Sequence, residues 1–194
     1  ATLRLVPSGT GPVAWRHWPC TGDTQADTLL LVPGGFGSWR HFARLLPRLT
    51  SQHEVFCVEP PGLGDSAGPG VDRPTFDALC DPIAQTLGHI VPDGPLHLYG
   101  FSFGGIVSGG VAARLGTRIT SLVIGASGAL GLTAPALPAA APLDTTTREA
   151  LERAYRHNLA TFMLDEGIVD DLAVAIEHES VRRSRIKYTH IMRS

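Results

Sequence analysis

The sequence predicts an α/β protein in which a mostly parallel sheet of about six strands is flanked by helices and followed by a partial helical cap. Short apolar segments alternate with helical patterns up to about residue 127, which is the order expected of βαβ units. The chain has 194 residues, of which 43% are hydrophobic and 18% are charged. This composition supports a substantial core and excludes a disordered chain.

The first part of the sheet is predicted from three segments. Residues 2–6 and 13–18 alternate between polar and apolar side chains, which indicates edge or half-exposed strands. Residues 28–32 (TLLLV) are uniformly apolar, as expected of a parallel strand that is covered on both faces. A helical pattern follows over residues 38–49, and Pro47 is predicted to end that helix.

The second part repeats the alternation of strand and helix. Strands are predicted at residues 54–59, 95–100 and 119–127. Helices are predicted at residues 75–90, where apolar side chains form one stripe, and at residues 103–115. Because parallel strands need a crossover connection such as a helix, this order predicts a parallel sheet with helices on both sides.

The composition changes at about residue 128, where Ala, Pro and Thr become frequent and no regular element can run throughout. We therefore divide the chain into two parts. An α/β core covers residues 1–131, and a linker with a helical cap or lid covers residues 132–194.

Two helices without an intervening strand make up the predicted cap. Thr146 and Glu149 have the spacing of a capping box, which would start a helix running to Leu164. A second helical pattern covers about residues 168–186. Two successive helices of this kind indicate an insert that lies on the sheet.

Charge and cysteine content exclude several function classes. The net charge is −2, and the only cluster of basic residues is a short patch near the C terminus (Arg182, Arg183, Arg185 and Lys187), so nucleic acid is not an expected partner. The three cysteines are widely spaced, which favours reduced thiols in the cytoplasm over a disulfide framework or a metal site. No apolar run reaches the ~18 residues of a membrane-spanning helix, and we expect neither a metal nor a cofactor.

The stretch HLYGFSFGG (97–105) carries the clearest chemical signal. A predicted buried strand runs into a Gly-x-Ser-x-Gly turn and continues as a helix. The turn is tight, so Gly100 and Gly104, two residues before and after Ser102, must lack side chains. Such a turn presents the serine oxygen above the sheet, at a helix N-terminus that favours a developing anion.

Together with this turn, two further motifs give the chain a resemblance to the α/β-hydrolase family, specifically to serine hydrolases with a helical cap. LLLVPGGFGSW (29–39) resembles the family's oxyanion loop, and EPPGLGDS (59–66) resembles its turn after the fourth strand. LVIGASGALGL (122–132) is similar to its sixth strand and the entry to the cap. The motifs occur in the family's order, and the resemblance covers essentially the whole chain.

The resemblance implies roles for five residues. Ser102 would be the nucleophile, and the backbone N–H groups of Gly35 and Phe103 would form the oxyanion hole. Loss of one such donor typically costs 10²–10³ in rate. Gly34 and Gly35 would let the loop backbone approach the substrate, and Gly104 completes the turn.

The sequence departs from the family at two positions. Pro33-Gly34 replaces the common His-Gly pair, and Glu59 replaces the usual Asp at the start of the turn after the fourth strand. Pro33 has no N–H, but the amide of Gly35 is unaffected. The resemblance therefore still implies an oxyanion hole.

In this family the triad follows the chain order Ser, acid, His. The loop at residues 125–128 has no carboxylate, and the remaining candidates lie on the linker, the predicted cap or the tail: Asp144, Glu149, Asp165, Asp170, Asp171, His157, His178 and His190. We interpret each of them as structural, and His41 as a capping or packing residue. We expect the acid and the histidine to lie beyond residue 194, in about 60–80 further residues that would form two strand–helix units.

A sixth strand at the edge of the sheet would be long and apolar, which invites pairing. We therefore expect a C-terminal segment outside this sequence, or a second chain, to cover it. The resemblance implies a cofactor-free hydrolase that acts through an acyl-enzyme on a small ester, thioester or related carbonyl substrate. Two alternatives remain open: a C–C bond hydrolase of ring-cleavage products, and a non-catalytic protein that uses the same fold to bind a ligand.

Overall fold

A computed structural model describes residues 1–22, 26–71, 73–128, 138–143 and 145–186. Within these residues, six strands form a single sheet in the order β1-β2-β4-β3-β5-β6. The strands are β1 (Thr2–Val6), β2 (Val13–Trp18), β3 (Thr28–Val32), β4 (Glu54–Glu59), β5 (Leu96–Phe101) and β6 (Ile119–Gly125). The pairs β1–β2 and β2–β4 are antiparallel and the other three pairs are parallel, which confirms the predicted sheet.

The described residues contain five helices, and those that precede residue 116 cover both faces of this sheet. The five helices are α1 (Leu46–Leu49), α2 (Phe76–Leu87), α3 (Phe103–Leu115), α4 (Arg148–Phe162) and α5 (Asp171–Arg182), with short 3₁₀ turns at Trp39–Phe42, Gly116–Arg118 and Glu166–Ile168. In β3, Leu30 faces the core formed with α2 and α3, whereas Leu31 faces the smaller core formed with Phe42 and Leu46. Both faces of β3 are therefore buried, which explains its uniformly apolar sequence.

Two local predictions are wrong. Residues 38–49 form a 3₁₀ turn and the separate helix α1, and Pro47 lies in the first turn of α1 instead of ending a longer helix. Proline has no N–H to donate, so it is tolerated where a helix begins. In the cap, Thr147 and not Thr146 starts α4, because its hydroxyl accepts a hydrogen bond from the amide of Ala150 at 3.1 Å.

Helices α4 and α5, which make up the predicted cap, pack on each other and contact the core in at least two places. Tyr155 and Leu159 of α4 pack against Ala173 and Val174 of α5. At one end of α5, the hydroxyls of Ser180 and Ser38 lie 3.4 Å apart. The contact between Ser38 and Ser180 connects α5 with the start of the 3₁₀ turn at Trp39–Phe42.

The second contact is made by the chain that follows α5. The amide of Arg185 donates to the carbonyl oxygen of Gly62 at 2.8 Å, and Ile186 is buried against the same glycine. The side chains of Arg183 and Arg16 both pair with Asp65. The segment that follows α5 therefore packs against the turn that follows β4.

The sixth strand lies at the edge of the sheet, as predicted. In the described part of the chain β6 pairs with β5 alone, and Leu122 and Val123 are 38% and 54% exposed. What covers this edge remains a prediction. The predicted boundary between residues 131 and 132 lies outside the described residues, as do Asp144, Lys187 and His190.

Candidate active site

Ser102 occupies a strained turn between the end of β5 and the start of α3. Its backbone has φ +52° and ψ −123°, a conformation that L-residues rarely adopt and that costs about 1–3 kcal/mol. The Ser102 amide donates to the carbonyl oxygen of Gly125 at 2.8 Å, and its carbonyl accepts from the amide of Gly105 at 2.8 Å. Ser102 as a residue is partly exposed, and its side chain does not cap α3. The turn therefore holds a partly exposed serine at the start of a helix.

Close packing of α3 on the sheet explains the glycines around Ser102. A Cβ atom at Gly104 would collide with the carbonyl oxygens of Val32 and Pro33, at the end of β3. A Cβ atom at Gly100 would lie 2.5 Å from the carbonyl oxygen of Gly104. Neither position can hold a side chain unless the backbone moves.

Backbone strain is concentrated beyond the carboxyl ends of three neighbouring strands. Among the described residues, Phe36, Ser102 and Ala126 are the non-glycine residues with positive φ, at 57°, 52° and 50°. They follow β3, β5 and β6, which are neighbours in the sheet. Backbone strain clusters at functional sites, and ligands of open α/β sheets bind at the carboxyl ends of the strands. The carboxyl ends of β3, β5 and β6 are therefore the candidate active site.

The predicted oxyanion loop lies against the serine turn. The amide of Gly37 donates to the carbonyl oxygen of Gly34 at 3.0 Å, which closes a tight turn over residues 34–37 with Gly35 partly exposed. A Cβ atom at Gly34 would lie 2.9 Å from the ring of Phe101. Phe103 opens α3, at the positive end of the helix dipole. The two segments meet, and the oxyanion role of the Gly35 and Phe103 amides remains a prediction.

Glu59 connects this loop to the turn after β4, a role that sequence analysis missed. Its carboxylate is fully buried and accepts hydrogen bonds from the amides of Trp39 at 3.2 Å and Asp65 at 2.7 Å. Burial raises the pKa of Glu59, and the two amide hydrogen bonds oppose that rise. The sequence signal for this role was Glu59 itself, because the family usually has Asp at this position. The carboxylate of Glu59 therefore hydrogen-bonds both the predicted oxyanion loop and the turn after β4.

Buried His41 and partly buried Glu177 lie close to each other, next to the residue that precedes Ser102. The His41 ring lies edge-on to the ring of Phe101, with centroids 5.7 Å apart, and its side chain is only 5% exposed. Neither of its ring nitrogens has a hydrogen-bond partner. A carboxylate oxygen of Glu177, on α5, lies 3.9 Å from Nε2 of His41. Burial lowers the pKa of His41 to about 4 and raises that of Glu177 to about 7.

Replacing Glu177 by Gln is expected to remove a pH-dependent loss of stability. The raised pKa of Glu177 keeps its proton on the folded protein, so its contribution is complete below pH 4.5 and is lost as the pH rises through about 7. Between pH 5 and pH 8 the unchanged protein should therefore lose about 1–3 kcal/mol of unfolding free energy relative to Glu177→Gln. Urea unfolding at the two pH values measures the difference.

Glu179→Gln is the matched control on the same helix. Glu179 is partly exposed, with 30% of its side chain accessible, and it pairs with Arg182 and Arg183, which lower its pKa to about 2. It stays ionised from pH 5 to pH 8, so this variant should show no difference between the two pH values. The protonation of His41 also lies below pH 5 and is common to all three proteins. An equal response of both variants would contradict the assignment to Glu177.

The remaining sequence candidates that the structure describes have contacts with residues other than Ser102. The carbonyl oxygen of His157 accepts from Thr161, and the ring of His178 lies 5.7 Å from that of Tyr155. The four described carboxylates that the sequence offered as candidates are at helix starts or in surface ion pairs: Glu149, Asp165, Asp170 and Asp171. No histidine in the ranges that the structure describes forms a hydrogen bond with Ser102, and our interpretation of His41, His157 and His178 as structural remains a prediction.

The described residues contain neither a candidate metal site nor a candidate membrane-spanning helix. They contain no group of three or more His, Cys, Asp or Glu side chains that could hold a metal ion. None of the helices that the structure describes is long and apolar enough to cross a membrane.

A protein-family model matches most of the chain. The model is described as the thioesterase domain, and the match covers residues 27–189. It therefore includes β3 to β6, the serine turn and both cap helices.

Curated relatives match a smaller part. The chain is 32% identical over 115 residues to the dihydrolipoyllysine-residue acetyltransferase component of an acetoin cleaving system from Pseudomonas putida, covering 59% of this chain and 30% of that protein. It is 35% identical over 113 residues to a pimeloyl-acyl-carrier-protein methyl ester esterase from Neisseria meningitidis, covering 53% of this chain and 41% of the esterase. The chain therefore spans less than half the length of these two relatives.

Solved structures match nearly the whole chain in shape. An esterase from a Rhodococcus species superposes with a TM-score of 0.72 at 17% identity, covering 95% of this chain and 70% of that one. A serine hydrolase involved in carbazole degradation gives a TM-score of 0.72 at 19% identity, covering 94% of this chain and 66% of that one. At these identities the likeness shows the fold.

Proposed function

Because the chain belongs to the thioesterase-domain family of α/β hydrolases, we propose that it is a serine hydrolase that cleaves an ester or thioester through an acyl-enzyme on Ser102. The observation that carries the proposal is the strained, partly exposed Ser102 at the carboxyl edge of the sheet. A strained turn is retained where it serves a function. An ester- or thioester-cleaving site uses it to present the hydroxyl.

The proposed reaction has two steps at one oxygen. The Ser102 hydroxyl attacks the substrate carbonyl and the alcohol or thiol leaves, so the acyl group remains on Ser102. A water molecule then hydrolyses this acyl-enzyme and restores the hydroxyl. In both steps the amides of Gly35 and Phe103 would donate to the oxyanion, supported by the α3 dipole.

Ser102 needs a general base, because a serine hydroxyl is a weak nucleophile until its proton is taken. Both ring nitrogens of His41, the histidine beside Phe101, are without a hydrogen-bond partner, so His41 is not hydrogen-bonded to Ser102. We propose that the base and its acid partner come from outside the described residues. The chain matches less than half of its curated relatives, so the activity of the whole protein is part of this proposal.

A fluorophosphonate probe tests the proposal on the full-length protein. We expect one covalent adduct, located on Ser102 by mass spectrometry of proteolytic peptides. Ser102→Ala should abolish the adduct, whereas Ser108→Ala, in the same helix but fully buried, should retain it. Labelling that persists in Ser102→Ala would overturn the proposal.

The second candidate is a protein that uses this fold to bind a ligand without catalysis. The observation that favours it is that no histidine in the described ranges forms a hydrogen bond with Ser102. A binding protein has no need of a strained serine, which argues against it. No adduct on the folded full-length protein would favour this candidate.

A further inference from the structure

The loop that carries Gly35, the proposed oxyanion donor, has to be held at both of its ends. Phe36, the next residue, has φ +57°, and such a conformation persists only where the surrounding structure enforces it. At one end the loop continues from β3, and Gly34 lies against the ring of Phe101. At the other end it enters the 3₁₀ turn that begins at Trp39. The first amides of a helical turn have no acceptor within it, so the Trp39 amide needs one from elsewhere.

The carboxylate of Glu59 supplies this acceptor. Its Oε1 accepts from the Trp39 amide at 3.2 Å and its Oε2 accepts from the Asp65 amide at 2.7 Å, so each oxygen holds one segment. Glu59 is fully buried at the end of β4. A hydrogen bond to an ionised carboxylate is about twice as strong as one between neutral groups. Glu59 therefore fixes the far end of the loop to the sheet.

The turn after β4 is shaped around the Glu59 carboxylate. Gly64 has φ +52°, and a Cβ atom at this position would collide with that carboxylate. The side chain of Asp65 forms ion pairs with Arg16 of β2 and with Arg183, which follows α5. The carboxylate is thus held by a turn that is itself fixed to the sheet.

We propose that Glu59 is a positioning residue: by holding the Trp39 amide, its carboxylate keeps the Gly35 amide at the place where it donates to the oxyanion. This inference rests on the proposed function, since it concerns the transition state of acyl transfer at Ser102. The Gly35 donor acts when negative charge develops on the substrate oxygen. Its displacement should therefore lower kcat and leave KM nearly unchanged.

Glu59→Gln in the full-length protein tests this role. Gln has nearly the same shape, but one of its two polar ends is an NH₂ group, which cannot accept a hydrogen bond. Its oxygen should stay with the Asp65 amide, which makes the shorter hydrogen bond, so the Trp39 amide loses its acceptor. We expect kcat for a p-nitrophenyl ester to fall at least about tenfold, with KM within about threefold.

Glu59→Asp separates positioning from packing. Asp keeps two acceptor oxygens and the charge but is one methylene shorter, whereas Gln keeps the volume and loses an acceptor. A positioning carboxylate predicts a higher kcat for Glu59→Asp than for Glu59→Gln, and a side chain that only fills space predicts the reverse. A kcat of Glu59→Gln equal to or above that of Glu59→Asp would overturn the proposal.

Two alanine substitutions form a matched pair that leaves Glu59 unchanged. Gly64→Ala pushes the carboxylate away and should lower kcat as Glu59→Gln does. Gly70→Ala imposes similar backbone strain, at φ +74°, but its Cβ atom has no neighbour within 4 Å, so kcat should be unchanged. Equal kcat values for the two variants would contradict the proposal.

Amide hydrogen exchange, followed by NMR on the full-length protein, distinguishes a failure of this inference from a failure of the proposed function. In Glu59→Gln the Trp39 amide should exchange at least about tenfold faster than in the unchanged protein, and the Asp65 amide should change less. An unchanged Trp39 amide, or an unchanged kcat in an active enzyme, would overturn the role of Glu59 alone. Faster exchange at Trp39 in a protein without hydrolase activity would refute the proposed function, and with it this role, but not the contact.

Discussion

Ser102→Ala is expected to lower the turnover of the full-length protein on ester and thioester substrates by at least about 10³-fold. The substitution removes the oxygen that would carry the acyl group and leaves the turn between β5 and α3 in place. Initial rates with a p-nitrophenyl ester and an acyl thioester measure the loss. Ser108→Ala is the control, because its buried hydroxyl has no hydrogen-bond partner and lies in the same helix. Turnover within tenfold of the unchanged protein would exclude Ser102 as the nucleophile.

Ser102→Gly separates strain from chemistry at this position. Glycine has no hydroxyl, so the variant should be as inactive as Ser102→Ala. Glycine also adopts positive φ at no steric cost. The unfolding free energy of Ser102→Gly should therefore be about 1 kcal/mol higher than that of Ser102→Ala, which retains the strained φ of +52°. A lower stability of Ser102→Gly than of Ser102→Ala would show that the turn is not strained.

Gly104→Ala is expected to destabilise the protein by about 3 kcal/mol or to prevent folding. The new Cβ atom would collide with the carbonyl oxygens of Val32 and Pro33, and backbone atoms cannot rotate away as a side chain can. The first turn of α3 would therefore have to move away from the end of β3. Urea unfolding of the variant and of the unchanged protein measures the effect.

Gly109→Ala is the matched control in the same helix. A Cβ atom at Gly109 has no neighbour within 4 Å, and alanine is the better helix former. This variant should gain about 0.5–1 kcal/mol of unfolding free energy. Opposite signs for one substitution at two positions in one helix would be due to packing and not to propensity. Equal effects would refute the close contact between α3 and β3.

Most of the sheet was predictable because its signals are local. The uniformly apolar β3 reflects burial on both faces, and the motif at residues 100–104 defines a tight turn through two required glycines. The two wrong predictions concern helix ends. There, Thr146 and Thr147 are chemically equivalent caps, and Pro47 suits either the first turn of a helix or the end of one. Such choices depend on small differences that sequence patterns do not resolve.

The remainder of the candidate site depends on contacts between residues that are far apart in the chain. Glu59 joins Trp39 to Asp65, and His41 meets Glu177 of the cap, although no motif links these positions. Phe36 and Ala126 adopt positive φ without being glycines, so their strain has no signal in the sequence.

The sequence by itself thus determined the α/β sheet, the turn at Ser102 and the family resemblance, because periodicity and obligatory glycines are encoded within a few residues. The tertiary structure alone decided how the predicted cap helices contact the core and which buried polar groups lack partners. These features arise from packing of distant segments, in which the burial of each side chain depends on all of its neighbours.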